Sequence, residues 1–139
     1  MPARVHAILV ARPDGRTPAA FHLRRTLAAL AAQTRPVDVL TIVLCGEDTG
    51  VAEVAAASSA ESVVTAPAST GFAAALALVT PRLDGDAVWA LAQDTAPEPE
   101  ALSRLAGALE LAPSVAFVAP KVVRWDDRSE IVSLGTSMT

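Results

Sequence analysis

The stretch "VHAILVARPDGRTPAAFHLRRTLAALAAQTRPVDVLTIVLC", residues 5–45, contains the pattern that decides the fold. Its two ends, residues 5–11 and 39–45, are short, apolar throughout and rich in β-branched residues, which is typical of strands buried on both faces of a parallel sheet. The apolar residues between these ends recur along one helical face: Phe21, Leu23, Leu27 and Leu30. The stretch therefore predicts a strand, a helix and a second strand parallel to the first.

The same alternation continues along the rest of the chain. Strand-like segments lie at 62–65, 86–92 and 115–119, with helical segments between them. Because alternating strands and helices form βαβ units, we expect a three-layer α/β/α sandwich with a mostly parallel sheet. The side chains expected inside it are Leu9, Ile42, Val43, Leu91 and Phe117, with Leu27, Leu30, Leu102 and Leu105 packed on the sheet faces.

Length, charge and cysteine content limit the class of protein. The 139 residues favour one domain over 1–139, and the net charge of −4 without a basic stripe argues against nucleic acid as a partner. No apolar run reaches the ~20 residues that span a bilayer, so we expect a cytoplasmic protein. Cys45 is the single cysteine and is expected to be buried. The chain stops without a terminal element, as though it continued in a longer protein.

Polar residues and glycines follow the predicted strands, at the edge where open α/β sheets bind ligands. In strand order they are Arg12 and Asp14; Gly46, Glu47 and Asp48; Ser69, Thr70 and Gly71; Gln93, Asp94 and Thr95; and Lys121. These loops contain neither the glycine-rich dinucleotide motif nor the P-loop motif, and the chain has no G-x-S-x-G elbow. The sequence therefore argues against a dinucleotide-binding, P-loop or α/β-hydrolase protein.

Four phrases give the chain a resemblance to a known family. They are "ILVARPDGRTPAAFHLRRTLAALAAQTRPVDVLTIVLCG", "STGFAAALAL", "AVWALAQDTAPEPEAL" and "SVAFVAPKVVRWDD". In this order they resemble the N-terminal, nucleotide-sugar-binding half of the family 2 glycosyltransferases, which have the Rossmann-like GT-A fold. The third phrase resembles the acidic motif that precedes P-x-P in that family. Together the phrases cover nearly the whole chain.

The resemblance implies a function and a set of site residues. A domain of this family binds a nucleotide-diphospho-sugar, and its acidic motif holds Mg²⁺ or Mn²⁺ against the phosphates. The sugar then passes to a glycan or lipid acceptor, here expected in a cell-envelope polysaccharide. The resemblance also implies a full-length protein at the cytoplasmic face of the membrane, with the general base further along that protein. The residues that the resemblance assigns to the nucleotide-sugar are Arg12, Gly46, Glu47, Asp48, Gly71, Gln93 and Asp94, with Asp94 as the metal ligand.

Three places depart from the family pattern. Ala92 and Gln93 stand where the family has acids, which leaves Asp94 as the one carboxylate of the motif. Leu44 stands at the position of the nucleotide-binding Asp at the end of the second strand, unless Glu47 or Asp48 substitutes for that Asp. Ala77 replaces a polar residue. A metal is therefore expected only together with a bound nucleotide, and not in the isolated chain. An active glycosyltransferase and a catalytically degenerate binding or scaffold module both stay open.

A second interpretation of the acidic motif needs no ligand. Thr95 and Glu98 have the spacing of a capping box, and Pro97 suits the first position of a helix. On this interpretation residues 95–100 only start a helix. Asp94 lies one residue before that cap, so the capping box does not account for it.

A receiver-like signalling domain is the remaining alternative, because Lys121 follows the fifth predicted strand. Receiver chemistry needs an acidic pair after the first strand and an acceptor Asp after the third. Asp14 supplies at most half of the pair, and residues 63–69 contain no Asp. The receiver interpretation therefore ranks last.

Overall fold

The computed structural model describes residues 2–134, and these form alternating strands and helices. In chain order the elements are β1 (Val5–Ala11), α1 (Ala19–Ala31), β2 (Val39–Cys45), α2 (Thr49–Ala56), β3 (Ser62–Ala66), α3 (Phe72–Val79), β4 (Ala87–Ala92), α4 (Ala101–Leu111), β5 (Val122–Val123) and β6 (Ile131–Ser133). None of the helices described has the length and apolar character needed to cross a membrane.

Strands β1 to β4 form one parallel sheet in the order β3-β2-β1-β4. Strand β1 lies inside the sheet, and its Leu9 is paired with Ile42 of β2 on one side and Leu91 of β4 on the other. The first four strands predicted from the sequence are confirmed, with ends shifted by at most one residue. Strand β4 forms an edge of this sheet.

Helices cover both faces of the sheet, which confirms the α/β class. Helices α1 and α2 pack on one face, where Leu23 and Val51 join a core with Leu9 and Ile42. Helix α4 packs on the same face through Leu102 and Ala106. On the other face α3 contributes Ala75 and Val79, which pack with Ile8, Val10, Val43 and Cys45.

The side chains expected in the core are mostly where the sequence placed them. Leu9, Ile42, Val43 and Leu91 are buried, as are Leu30 and Leu102 on the helices, while Leu27 and Leu105 are half-buried. Cys45 is a buried free thiol, and burial raises the pKa of that thiol. The prediction of a buried structural cysteine is confirmed.

The predicted fifth parallel strand, residues 115–119, is wrong. Residues 112–121 form neither helix nor strand, and the next strands, β5 and β6, pair antiparallel in a separate two-stranded sheet. Phe117, expected to be buried, is 77% exposed. An apolar run becomes an inner strand only where layers on both faces bury its side chains, and no described element buries Phe117. Lys121 consequently follows no parallel strand, so the receiver interpretation loses its one supporting feature.

Candidate functional site

A cleft of about 540 Å³ opens at the carboxyl edge of the sheet, between the loops that follow β1 and β4. Its volume lies within the roughly 300–1,000 Å³ typical of small-molecule sites. The residues that line it are Val10, Arg12, Asp14, Thr17, His22, Phe72, Ala92, Gln93, Asp94 and Trp125. This is the edge at which open α/β sheets bind ligands.

A larger groove of about 640 Å³ lies elsewhere, between α1 and α2. Its walls are mainly apolar side chains such as Leu27 and Val54, and its charged residues are Arg24 and Glu53. It contains none of the strand-end residues. We therefore take the cleft at the carboxyl edge, despite its smaller volume, as the candidate site.

Three of the seven residues assigned from the sequence line the cleft: Arg12, Gln93 and Asp94. The side chains of Arg12 and Asp94 are exposed, and within residues 2–134 neither makes a hydrogen bond or an ion pair. Loops that are far apart in the sequence thus present an unpaired cation and an unpaired anion to one cavity.

Gly71 lies directly before Phe72, which lines the cleft. It is the N-cap of α3 with a φ of −75°, a value open to any residue, and an added Cβ would meet no described atom within 4 Å. Neither the backbone nor the packing described here therefore requires glycine at this position.

Gly46, Glu47 and Asp48 are not among the lining residues. Gly46 has a φ of +95°, and a Cβ there would approach Cβ of Ala68 to 3.2 Å, so the backbone itself requires glycine. Asp48 caps α2 by accepting a hydrogen bond from the backbone N–H of Val51 at 3.0 Å. Local structure thus accounts for Gly46 and Asp48 without a ligand, and Glu47 is an exposed residue beside them.

Gln93 connects the two loops that form the cleft. Its Oε1 accepts a hydrogen bond from the Arg12 backbone N–H at 3.0 Å, and its Nε2 donates to the Arg12 carbonyl at 3.2 Å. The backbone N–H of Gln93 donates to the Val10 carbonyl at 3.2 Å. Both ends of the amide are therefore engaged with the backbone of the neighbouring loop.

Thr26 of α1 is hydrogen-bonded to the turn after β4, which contains Gln93 and Asp94. It is fully buried, and its hydroxyl lies 2.7 Å from the Gln93 carbonyl and 2.5 Å from the Thr95 carbonyl. The His22 carbonyl, 3.1 Å away, is a third acceptor, so one hydroxyl proton is shared among three carbonyls. The position of the turn thus depends on a helix residue remote in sequence.

The capping box predicted at Thr95 and Glu98 is wrong. Helix α4 begins at Ala101, and the Thr95 hydroxyl donates to the Ala92 carbonyl at 2.8 Å instead. Pro99 explains the late start, because the residue before a proline is disfavoured in the helical conformation. Asp94 therefore lies in a turn well before the helix and has no part in starting it.

Asp14 closes the loop after β1. Its Oδ1 accepts hydrogen bonds from the backbone N–H groups of Arg16 at 2.9 Å and Thr17 at 3.0 Å, and from the Thr17 hydroxyl. The backbone bond from Arg16, followed by the bond from Thr17, lowers the pKa of the Asp14 carboxyl below its usual value. The ionised carboxylate thus orders this wall of the cleft.

We expect the loop after β1 to lose its hydrogen bonds in acid. Because the pKa of Asp14 is lower in the folded chain than in the unfolded one, the stabilisation is complete above the unfolded value of about 3.9 and is lost as the pH falls through the lowered value. In an NMR titration the Arg16 and Thr17 amide shifts should change with a midpoint below about 3.9. Asp14→Asn should remove the transition, and a midpoint above that value would contradict the geometry.

Aromatic side chains form part of the cleft, and the site list drawn from the sequence did not contain them. Phe72 follows Gly71 at the start of α3, and Trp125 comes from the segment between β5 and β6. The guanidinium of Arg25 lies over the Trp125 ring, 3.1 Å from its centroid, which attaches this segment to α1. The fourth phrase of the family resemblance, "SVAFVAPKVVRWDD", contains Trp125 and was the signal in the sequence that could have identified this residue.

The residues present do not form a metal site by themselves. The Gln93 amide is hydrogen-bonded to the backbone of Arg12, and the Asp14 carboxylate accepts hydrogen bonds within its own loop. Ala92 has no side-chain atom that could bind a metal. Asp94 remains as one carboxylate, whereas a hard cation takes several oxygen ligands. Within residues 2–134 no three His, Cys, Asp or Glu side chains cluster in a way that could hold a metal ion.

The parallel sheet, its helical layers and the cleft at the strand ends define a Rossmann-like α/β domain. The profile of the family described as glycosyltransferase like family 2 matches residues 3–138, nearly the whole chain. The chain belongs to this family, and its sheet and layers are consistent with the GT-A fold of the family. Comparison with curated proteins gave no match.

Proposed function

We propose that the cleft binds a nucleotide-diphospho-sugar, and that in a longer protein the domain takes part in transferring the sugar to a glycan or lipid acceptor. The observation that supports this most directly is the pair of unpaired side chains, Arg12 and Asp94, in one cleft at the strand ends. Membership of the glycosyltransferase-like family gives the ligand class.

The chemistry of the lining residues suits such a ligand. The guanidinium of Arg12 can form charge-assisted, two-point hydrogen bonds with a diphosphate. Phe72 and Trp125 offer aromatic surface against which a base or a sugar ring can pack. Gly71 leaves open space at the start of α3, next to Phe72. Cation, aromatic surface and free space therefore occur together at this end of the sheet.

A divalent cation would enter this cleft only with the nucleotide. Asp94 supplies one carboxylate, and the phosphate oxygens of the ligand would have to supply the other charged partners. We therefore propose weak, joint binding of Mg²⁺ or Mn²⁺ with the nucleotide, with Asp94 as the protein ligand.

A catalytically degenerate binding or scaffold module is the second candidate, and particular contacts favour it. Leu44, at the position of the family's nucleotide-binding Asp, is buried in the core. Both hydrogen-bonding groups of the Gln93 amide are bonded to the Arg12 backbone. Both positions have acquired structural roles. Such a module would keep the fold and could bind a nucleotide-sugar without transferring the sugar.

Titration calorimetry with UDP- and GDP-sugars, with and without Mn²⁺, tests the proposal. Arg12→Ala should weaken binding about tenfold through loss of a charged hydrogen-bond donor. Asp94→Asn should abolish only the Mn²⁺-dependent part of the affinity. Glu53→Gln, which removes an exposed charge on α2 outside the cleft, is the matched control and should bind as wild type.

Two results would count against the proposed joint binding of nucleotide-sugar and metal. Tight Mn²⁺ binding without nucleotide would contradict the joint site. A folded chain that binds no nucleotide-sugar at millimolar concentration would favour a scaffold that has lost the ligand altogether.

A further inference from the structure

Gln93 extends the pairing of β1 and β4 by a side chain. The last residues in register are Val10 and Ala92, after which the Gln93 backbone N–H reaches the Val10 carbonyl. Beyond that point the strands no longer pair through their backbones. The Gln93 amide then forms both a donor and an acceptor bond with the backbone of Arg12, which joins the two loops just past the paired strands.

An ionised acid cannot make this pair of bonds. A carboxylate has acceptors alone, so it could accept from the Arg12 N–H but would turn its second oxygen toward the Arg12 carbonyl, which also only accepts. The acid that the family pattern places here would therefore disrupt the contact in this chain. Gln93 is thus matched to the loop after β1.

We propose that Gln93 is a positioning residue of the cleft: its amide fixes the backbone of Arg12, and with it the point at the cleft wall from which the Arg12 side chain extends toward an anionic ligand. The identity of that ligand, a nucleotide diphosphate, rests on the proposed function. The two hydrogen bonds between the Gln93 amide and the Arg12 backbone, which we call the clamp, do not depend on the identity of the ligand. On this view position 93 orders a cationic side chain and does not coordinate a cation.

Gln93→Glu separates the two roles. It keeps the size of the side chain and the acceptor for the Arg12 N–H, but it replaces the donor with a charged oxygen. If Gln93 is a clamp, nucleotide-diphosphate affinity should fall about tenfold, with or without Mn²⁺. If position 93 is a metal-ligand position, the added carboxylate should strengthen Mn²⁺-dependent binding. Stronger or unchanged binding by Q93E would overturn the proposal.

Gln33→Glu is the matched control, because the Gln33 amide also forms both a donor and an acceptor hydrogen bond with the backbone, but Gln33 does not line the cleft. Gln33 Nε2 donates to the Glu98 carbonyl at 2.7 Å, and its Oε1 accepts from the Leu102 N–H at 3.0 Å. Q33E should lower the melting temperature while the folded protein binds nucleotide as wild type does. An equal loss of affinity in Q33E would indicate a general structural effect and would count against positioning.

A double-mutant cycle tests whether Gln93 acts through Arg12. In an Arg12→Ala background Gln93→Met, which removes the amide without adding a charge, should cause little further loss of affinity, because the side chain that Gln93 positions is already absent. Fully additive losses would show that Gln93 acts by another route, and the positioning role would fall.

Hydrogen exchange at the Arg12 amide tests the clamp apart from the ligand. This amide should be protected in the wild type and in Q33E, and should exchange faster in Gln93→Met, which lacks the acceptor for the Arg12 N–H. If the wild type binds no nucleotide, the proposed function fails, and the exchange rates still decide the clamp. Equal exchange in the wild type and in Gln93→Met would overturn it.

Discussion

Replacing Leu23 with alanine should lower the free energy of unfolding by about 2–5 kcal/mol, the range measured for fully buried leucines. Leu23 has no exposed surface, and it packs from α1 against the sheet in the same core as Leu9 and Ile42. Because small domains are stable by only about 5–15 kcal/mol, this loss would be a large part of the total. Urea unfolding, followed by circular dichroism, would measure it.

Leu111→Ala is the matched control, since it makes the same chemical change at a side chain that is 89% exposed. Surface changes of this kind usually stay within about 0.5 kcal/mol. If Leu23→Ala cost no more than Leu111→Ala, α1 would not pack on the sheet as described.

Replacing Thr26 with valine should cost about 1–3 kcal/mol, the penalty for leaving part-buried acceptors without a donor. Valine has nearly the shape of threonine, so the change removes the hydroxyl shared by the His22, Gln93 and Thr95 carbonyls and little else. The turn that carries Asp94 would then lose its tie to α1. Unfolding experiments should show the loss of stability, and nucleotide titration should show weaker binding.

Thr26→Ser keeps the hydroxyl and should recover most of the binding lost in Thr26→Val. If serine and valine at this position behaved alike, the loss would come from packing, and the hydroxyl would have no part in holding the turn.

The sequence pattern predicted the four strands of the parallel sheet correctly, but it also predicted a fifth strand that does not form. Strands β1 and β2 are apolar except for His6 and Thr41, and layers of helices on both faces bury them. The apolar run at 115–119 has the same local composition, yet it forms no strand. Local pattern reports the tendency to be buried, whereas a strand also needs a partner edge and covering layers, which the pattern does not contain.

The candidate site was predicted in part, for a physical reason. The strand-end rule located Arg12, Gln93 and Asp94, because the carboxyl ends of parallel strands share one edge. The roles of side chains were harder to predict. Gln93 uses its amide on a backbone 81 positions away, and Thr26 reaches the same turn from 67 positions away. Such long-range hydrogen bonds leave no local signature in the sequence.

The placement of β4 at an edge of the sheet ties the existence of the cleft to a single strand pairing. Arg12 follows the inner strand β1 and Asp94 follows β4, so the two walls meet only while these strands are paired. Detachment of β4 would divide the cleft and leave the pairing of β1 with β2 and β3 in place. By mass action, a molecule that binds only the assembled cleft also stabilises that assembly. Occupancy of the cleft and attachment of its edge strand are therefore one linked equilibrium.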